Sequence, residues 1–330
     1  MRITRRHLQL SLAGLWLFDA ALQCQPSMFT RAVTRAVIAP IGQGQPSVLA
    51  GPLHLLTAVV SAQPALVNAT FALIQFTLGL GILTRRFTRV ALGASIVWAL
   101  SVWTVGEGFG GLTSGATLLT GAPGAALLYA VIAVLAWPTR SAAVNESPSS
   151  WALPAWCALW LTGAGLQLVA GNNSATSITK TLQAAGSGSP RWIGGIDYEL
   201  ARLTFPAWSS AVAVALYVLV AMWALIPGRF RQLSVAIGVV IAFAGWLVVQ
   251  GLGDVTSGHA TDLNSGPLIF LMAFAVLGAT YSRESTQASS EVVVEREGRL
   301  LAPLMLDGVR RTAGGNRVRV EQLVAGSARQ

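Results

Sequence analysis

Residues 232–251 read QLSVAIGVVIAFAGWLVVQG, a run that contains no charged side chain. A helix rises about 1.5 Å per residue, so a helix of this length crosses the roughly 30 Å hydrocarbon core of a bilayer. Arg229 and Arg231 come directly before the run. Because basic residues beside a span stay in the cytoplasm, the sequence predicts a transmembrane helix that begins at the cytoplasmic surface.

The rest of the chain continues this pattern. Of its 330 residues, 53% are hydrophobic and only 11% are charged, whereas about 25% of the residues of a soluble protein are charged. The net charge of +9 is spread between apolar segments, so no nucleic-acid partner is expected. The composition indicates that the lipid bilayer is the main environment of the chain.

Eight segments are apolar and long enough, or nearly long enough, to span a membrane. Only helices and closed barrels satisfy every backbone polar group in lipid, and these segments have the length of helices. The sequence therefore predicts an all-α polytopic membrane protein with about eight transmembrane helices. Their approximate bounds are 8–24, 66–84, 88–106, 122–138, 151–170, 206–226, 232–251 and 266–282.

The two halves of the chain also match each other. Matches in one order at a nearly constant offset indicate an internal duplication. Each copy holds four spans, an even number, so we predict two parallel four-helix repeats at 1–140 and 141–282, followed by a cytoplasmic tail at 283–330. The matching pairs, 143 or 144 positions apart, include Leu15-Trp16-Leu17 with Leu159-Trp160-Leu161, Arg86-Phe87 with Arg229-Phe230, Trp103 with Trp246, and Thr113-Ser114-Gly115 with Thr256-Ser257-Gly258.

The distribution of arginine predicts the orientation. Arg85, Arg86 and Arg89 lie in one short turn, whereas the connections at 107–121 and 252–265 carry no basic residue. We therefore expect a multi-pass protein of a bacterial plasma membrane with both termini in the cytoplasm. Residues 1–24 also resemble a signal peptide, and this alternative stays open.

The outer face is expected to hold the irregular parts of the chain. In the segment 25–65, apolar residues such as Met28 and Val33 recur at helical spacing, which predicts an amphipathic interfacial helix, followed by turns and a short apolar stretch. The equivalent segment 171–205 is more polar. The glycine-rich loops at 106–115 and 251–259 are either tight connections or half-buried loops that line a cavity.

Polar residues at this outer face are the candidate site. Asp19 lies inside the first span, where an ionised group costs roughly 2.5–3.5 kcal/mol and indicates function by default. Its counterpart in the second copy is Gly163, and the alternative is that Asp19 pairs with an outer arginine such as Arg31 or Arg35, or extends its side chain to water. The candidate residues are Asp19, His54, Glu107, Asp197, Tyr198, Gln250, Asp254, His259 and Asp262.

No motif for a cofactor, a metal or a catalytic triad stands out. His54, His259 and Asp262 could supply metal ligands, but their spacing is loose, so neither a metal nor a cofactor is predicted. The glycine-rich loops do not fit the phosphate-binding pattern. A catalytic role is therefore left undecided, with a non-enzymatic role favoured.

The four-span unit, with basic inner turns and a glycine-rich outer loop, resembles the DoxX-type membrane proteins. The chain over 1–282 also resembles uncharacterised actinobacterial multi-pass proteins, through Thr120-Gly121-Ala122-Pro123 and Asn264-Ser265-Gly266-Pro267. DoxX-type proteins are associated with membrane redox complexes. The resemblance implies a non-catalytic membrane component that supports redox or cell-envelope proteins, with a membrane-protein partner.

Two other functions remain open from the sequence. The first is a transporter or binding protein for ions or small molecules, with an outer vestibule between the repeats. The second is a membrane enzyme that uses histidine and carboxylate residues at the outer face.

Overall fold

The computed structural model describes residues 3–41, 45, 47–139, 147–169, 171–174, 176–203, 205–206 and 208–280. Within these ranges the chain forms helices and no strands, which confirms the all-α prediction. The predicted tail at 283–330 lies outside the described residues.

Eleven α-helices longer than one turn are found in the described ranges. A helix lies at each of the eight segments predicted from the sequence. When the π turns Val102–Gly106 and Gly245–Val249 are counted with the helices they extend, the bounds differ by at most three residues from the prediction. The helices are α1 (Arg5–Gln23), α2 (Ser47–Ala62), α3 (Pro64–Leu83), α4 (Thr88–Ser101), α5 (Ala125–Leu135), α6 (Ala152–Leu168), α7 (Ser177–Gly188), α8 (Arg191–Ala201), α9 (Ser209–Leu225), α10 (Arg229–Ala244) and α11 (Ser265–Thr280).

Three helical stretches in the described ranges are long and apolar enough to cross a membrane. They are Pro64–Leu83, Thr88–Gly106 and Arg229–Val249. The last two consist of α4 and α10, each extended by one π-helical turn. A membrane protein is the architecture that this composition and these lengths favour.

The helices share one hydrophobic core. α1 packs against α3 and α6 packs against α9, while α4 contacts α5. Residues from both halves of the chain, such as Trp16 and Trp160, belong to the same buried cluster. The two sets of helices therefore form one compact unit from the N-terminus to Ala279.

Arginines gather at one end of this unit, here called the arginine end. Arg6 donates to the carbonyl oxygens of Ile82 (3.2 Å) and Leu83 (2.5 Å), at the end of α3. Arg231 Nε donates to the Ala224 carbonyl oxygen at 2.8 Å, near the end of α9. A cation at a helix C-terminus is favourable because it faces the negative end of the helix dipole.

The opposite end, here called the loop end, holds two irregular connections of matching conformation. Positive φ angles occur at Gly108, Phe109, Gly110 and Gly111 and, 143 positions later, at Gly251, Leu252, Gly253 and Asp254. Trp103 Nε1 donates to the Pro123 carbonyl oxygen, and Trp246 Nε1 donates to the Leu263 carbonyl oxygen, both at 2.7 Å. Each bond ties a π turn to the residue two positions before the next helix.

Two predictions about the loop end differ from the structure. The segment after α1 forms a 3₁₀ turn at Pro26–Phe29 and then a helical stretch over 32–41 that contains the π turn Thr34–Ile38, so the predicted helix is present in part and does not include Met28. Met28, Val33 and Ile38 pack with Val60 of α2 in a small core. The stretch around His54 is a full helix, α2, which contains Pro52. Burial of an apolar face outweighed the local turn signals of Gly51 and Pro52.

Candidate functional site

One face of α1 places two polar residues of the candidate site in the core of the protein. Residues separated by three or four positions lie on the same side of a helix. The buried residues of α1 follow that spacing from the arginine end to the loop end: Leu8, Leu12, Trp16, Asp19 and Gln23. The last two are polar, and Asp19 is only 1% exposed.

Asp19 is held by a tyrosine and not by an arginine. Its Oδ2 accepts a short hydrogen bond from the Tyr129 hydroxyl, while its Oδ1 is buried and has no hydrogen-bond partner. Trp16 covers the Asp19–Tyr129 pair, because the centroid of its ring lies 4.3 Å from that of the Tyr129 ring. The Trp16 ring is held in place by Ser95, whose Oγ accepts from Trp16 Nε1 at 2.9 Å. Neither alternative for Asp19, pairing with Arg31 or with Arg35, matches this bonding.

The side chain of Glu107 lies against the N-terminus of α5. Its Oε1 accepts a 2.9 Å hydrogen bond from the Ala126 backbone N–H, so the side chain caps the first turn of that helix. Its Oε2 is buried without a partner and lies over Gly124, where a Cβ would overlap it. Burial, together with the charge of Asp262, raises the pKa of Glu107 to about 8. Near neutral pH this carboxyl is therefore mostly protonated.

Asp262 comes from the second half of the chain and completes the group. Its Oδ2 accepts from Thr261 Oγ1 at 2.9 Å and its Oδ1 accepts from the Asn264 backbone N–H at 2.6 Å. Burial raises the pKa of Asp262. It also interacts electrostatically with Asp19, Glu107 and Tyr129. We call these four residues, Asp19, Glu107, Tyr129 and Asp262, the acidic junction.

The acidic junction contains acids only. Among the described residues, no lysine, arginine or histidine contributes to the electrostatic interactions of its carboxyl groups. The described ranges also contain no group of three or more His, Cys, Asp or Glu side chains placed to hold one metal ion. By accessible surface, Asp19 is buried and Glu107 and Asp262 are half-buried. Such a group of carboxyls without a cation is neutral only when it binds protons.

The second half of the chain has an arrangement comparable to the acidic junction, but it consists of neutral residues. Gln250 follows its π turn as Glu107 follows the other, and its Oε1 accepts from Ser265 Oγ at 3.2 Å beside the start of α11. Its Nε2 donates to the Leu119 carbonyl oxygen at 3.0 Å. On α6, Gly163 stands where α1 has Asp19 by sequence offset, and the side chain of Leu118 fills the space above it. We call Leu118, Leu119, Gly163 and Gln250 the neutral junction.

Each junction is formed by a loop from one half and a helix from the other. Leu118 belongs to the first half and packs on α6 of the second. Asp262 belongs to the second half and acts on Asp19 of α1. Gln25 Nε2 also donates to the Ala260 carbonyl oxygen at 3.3 Å, and Ser27 Oγ donates to that of Gly258. This exchange of loops joins the two halves at the loop end.

A small cavity lies beside the acidic junction. It has a volume of about 40 Å³ and is lined by apolar side chains together with Gln23, Asn68 and Thr261. Gln23 is 3% exposed and its Oε1 has no hydrogen-bond partner. Asn68 Nδ2 donates to the Gln23 carbonyl oxygen at 2.6 Å. The cavity is therefore a mainly apolar space one helical turn from Asp19.

Two further carboxyls, Asp197 on α8 and Asp254 after the second π turn, lie outside the acidic junction. Asp197 is fully buried, and the Ser189 hydroxyl acts on its carboxyl group. Asp254 Oδ1 and Ser189 Oγ both lie over Gly251. Burial raises the pKa of Asp197 and of Asp254.

The other predicted residues do not join either group. His54 is exposed on α2, Tyr198 is 46% exposed on α8, and the His259 ring lies 3.2 Å from the carbonyl oxygen of Ser257 in its own turn. Tyr129 was missed from the sequence. The signal that could have found it is a lone hydroxyl in the middle of the apolar helix AALLYAVIAVL.

Comparisons with protein-family models, with curated proteins and with solved structures gave no match.

Proposed function

We propose that the chain is an integral membrane protein of about eight spans, arranged as two four-helix repeats of the same orientation. Three features support this proposal. Equivalent elements follow one another in the same order, the positive-φ residues recur at an offset of 143, and both irregular connections meet at the loop end. The loop end would face the outside and the arginine end the cytoplasm, with both termini there, because arginines favour the cytoplasmic side.

Within that architecture we propose that the protein binds or transports an ion or small molecule at the acidic junction. One observation carries the proposal. Two carboxyl-bearing positions of the acidic junction, Asp19 and Glu107, correspond to the neutral residues Gly163 and Gln250 at the neutral junction, where Leu118 makes a contact between the halves. The fold is therefore built without acids at one junction, and burying them at the other has a cost that packing does not require.

The chemistry of the acidic junction limits the ligand. Buried carboxyls that repel one another favour either protons or a cation that replaces them. A ligand that brings positive charge would relieve the repulsion between Asp19 and Asp262, whereas an anion would increase it. We therefore propose a cation or a protonated small molecule as the ligand class.

A stability screen on the purified protein tests this proposal. Inorganic monovalent and divalent cations and small organic amines are added one at a time, and the melting temperature is measured. Because a ligand stabilises only the state it binds, we expect at least one compound to raise the melting temperature of the wild-type protein and not of Asp19→Asn. Asp254→Asn, which removes a loop-end carboxyl outside the acidic junction, should respond like the wild type. Equal responses of all three proteins would exclude the acidic junction as the binding site.

A second candidate is the non-catalytic membrane component that the DoxX resemblance implies. A groove of about 640 Å³ between α1 and α3 favours it. Its floor contains Ala20, Ala21, Ala69 and Ala72, and small residues let a partner transmembrane helix approach closely. Under this proposal Ala72→Trp would release a protein that copurifies with the wild type, while the melting temperature stays unchanged. Copurification that survives Ala72→Trp would exclude the groove.

A further inference from the structure

We propose that Arg86 and Arg229 bind the phosphate groups of anionic phospholipids in the leaflet at the arginine end, one lipid at each arginine. This interaction is separate from the function proposed for the acidic junction. It depends on the membrane architecture, which brings the two arginines to the same surface of the bilayer as the lipid phosphates.

Positive and negative charges are separated between the two ends of the molecule. The start of α1, the turn after α3 and the start of α10 each bring arginines to the arginine end. Every acidic residue in the described ranges lies at the loop end or on the half of α1 next to it: Asp19, Glu107, Asp197, Glu199, Asp254 and Asp262. No described carboxylate therefore neutralises the arginine end, and a surface of this kind attracts anions.

Several of these arginines bind backbone carbonyl oxygens inside the protein. Arg6 and Arg231 donate to the carbonyl oxygens described above, and Arg89 donates to that of Thr139 at 2.8 Å. A carbonyl oxygen is neutral, so these bonds orient the guanidinium groups without cancelling their charge. The arginine end stays positive even where its side chains are bonded.

Arg86 and Arg229 differ from the others because each lies over an aromatic ring. The guanidinium carbon of Arg86 is 5.8 Å from the centre of the Phe87 ring, and that of Arg229 is 5.2 Å from the centre of the Phe230 ring. Neither guanidinium group forms a hydrogen bond or an ion pair within the part of the chain that the structure describes. The ring orders the side chain, while the N–H donors that suit a phosphate have no partner.

Exposed apolar side chains lie directly beside both arginines. Phe87 and Val90 follow Arg86 and are exposed, and the exposed Ile226 precedes Arg229 by three residues. In the proposed architecture these apolar side chains contact acyl chains, and the turns between spans lie at the level of the lipid headgroups. A phospholipid offers both a phosphate and a hydrocarbon chain to such a surface, whereas a free phosphate ion offers only the first.

The two halves of the chain repeat this arrangement although they differ in charge elsewhere. Arg86-Phe87 and Arg229-Phe230 are 143 positions apart, and each pair has the same contact between cation and ring. At the loop end, by contrast, Asp19 corresponds to Gly163. The presence of the arginine–phenylalanine pair in both halves therefore predicts two equivalent lipid sites.

Native mass spectrometry of the full chain in detergent tests the proposal. Phosphatidylglycerol and phosphatidylcholine with identical acyl chains are added separately, and the affinity and number of bound lipids are measured. We expect the wild type to bind two molecules of phosphatidylglycerol more tightly than phosphatidylcholine. Arg86→Gln and Arg229→Gln should each keep one such site and weaken the other about fivefold, and the double variant should keep neither. Equal affinity of the wild type for both lipids, or two unchanged sites in the double variant, would overturn the proposal.

Arg191→Gln is the matched control. Arg191 is an exposed arginine on α8, at the loop end, so its replacement makes the same change in net charge and should leave both lipid sites unchanged. Because all of the replaced side chains are exposed, the melting temperature without added lipid should be the same in every variant. Loss of a site in Arg191→Gln as well would show that net charge alone governs binding, which contradicts the proposal.

The role of the ring is tested by Phe87→Leu. This variant keeps an apolar side chain but removes the cation–π contact, so we expect a smaller loss of affinity at one site, about twofold. Phe274→Leu, which replaces an exposed phenylalanine on α11, is its control and should bind lipid like the wild type. Equal affinities of Phe87→Leu and the wild type would show that the ring does not order Arg86 for binding.

Competition identifies the source of the anion. Inorganic phosphate or a peptide of glutamate residues is added in excess to the wild type with bound phosphatidylglycerol. We expect both lipids to stay bound, because neither competitor contacts the exposed apolar side chains. Displacement by phosphate would make the occupant a soluble anion, displacement by the peptide would make it an acidic protein segment, and either result would overturn the proposal.

This proposal and the proposed function fail separately. Asp19→Asn should bind phosphatidylglycerol like the wild type, because Asp19 lies far along α1 from the arginine end. If two lipids bind while no cation stabilises the protein, the lipid sites stand and the function proposed for the acidic junction fails. If a cation stabilises the protein through Asp19 while the two lipids bind equally, the function stands and the lipid sites fail.

Discussion

The Glu107 carboxyl caps a helix and also has a raised pKa. Its Oε1 caps α5 through Ala126, a bond that an ionised carboxylate would make more strongly. Its burial and the nearby Asp262 favour the protonated form and outweigh that bond, which is why its pKa rises to about 8. Gln250 makes the comparable contact at α11 without a charge, so an amide is compatible with this position.

A first prediction follows for Glu107→Gln. The pKa of Glu107 is about 8 in the folded protein, against an ordinary value of 4.5 for a glutamate in water, so the folded state binds more protons than the unfolded state between these two pH values. The stability contribution is fully present below pH 4.5 and is lost as the pH rises through 8, by up to about 1.4 kcal/mol per pH unit. In Glu107→Gln the melting temperature should therefore decrease less with pH over that range than in the wild type. Above pH 8 the variant should have a higher melting temperature than the wild type.

The control for this prediction is Glu199→Gln. Glu199 is 68% exposed and paired with Arg202, so its replacement should leave the slope of melting temperature against pH as in the wild type. Intrinsic tryptophan fluorescence of the purified protein measures both variants. A Glu107→Gln variant with the wild-type slope would show that Glu107 is ionised in the folded protein at neutral pH.

Part of the acidic junction was predictable from the sequence because charged residues are rare in this chain. A carboxyl such as Asp19 stands out in an apolar span, and Glu107 and Asp262 stand out in short loops without basic residues. Their convergence did not follow from the sequence, because Asp262 is more than 240 positions from Asp19 and the contact depends on the exchange of loops between halves. Tyr129 was missed because a single tyrosine in an apolar helix has no local pattern.

At the scale of elements, the helices were predictable and their distortions were not. Apolar length fixed the eight segments, but the same pattern gave no sign of the π turns at Val102–Gly106 and Gly245–Val249. These turns place Trp103 and Trp246 against the carbonyls that precede α5 and α11. Tertiary hydrogen bonds, which sequence periodicity does not contain, therefore accompany the π conformation. The same limit applies to α2, which forms where Gly51 and Pro52 predicted turns. It also applies to α7 and α8, which lie in the segment 171–205 that the sequence marked only as more polar.

A second prediction concerns these two indole bonds. Trp103→Phe and Trp246→Phe each keep an aromatic ring but leave a loop carbonyl without its donor, which costs about 1–3 kcal/mol when the carbonyl is buried. Both variants should lower the melting temperature, and by similar amounts if the two halves are repeats. Trp192→Phe is the control, since Trp192 is 59% exposed on α8 and should change the melting temperature little. A loss confined to one of the two variants would argue against equivalent roles of the π turns.

At the scale of the molecule, the two halves are similar in backbone and different in charge. Both loops pack across the boundary between halves, so neither half completes its own junction. Under the proposed function, the pair of halves is the functional unit, with the acidic junction near their boundary at the loop end. If both halves have the same orientation, the loops at 112–124 and 255–264 must reach the same side of the membrane.

The last prediction tests that orientation by thiol labelling. In a background with Cys24→Ser and Cys157→Ser, single cysteines replace four exposed residues: Thr113 and Ser257 at the loop end, and Thr84 and Pro227 in the turns of the arginine end. We expect a membrane-impermeant reagent added to intact cells to label Thr113→Cys and Ser257→Cys, and to label Thr84→Cys and Pro227→Cys only after the membrane is opened. We expect this result because arginines lie beside the second pair, and arginines favour the cytoplasmic side. Labelling of Thr113→Cys and Ser257→Cys from opposite sides would contradict the parallel repeat, and with it the shared loop end on which the acidic junction depends.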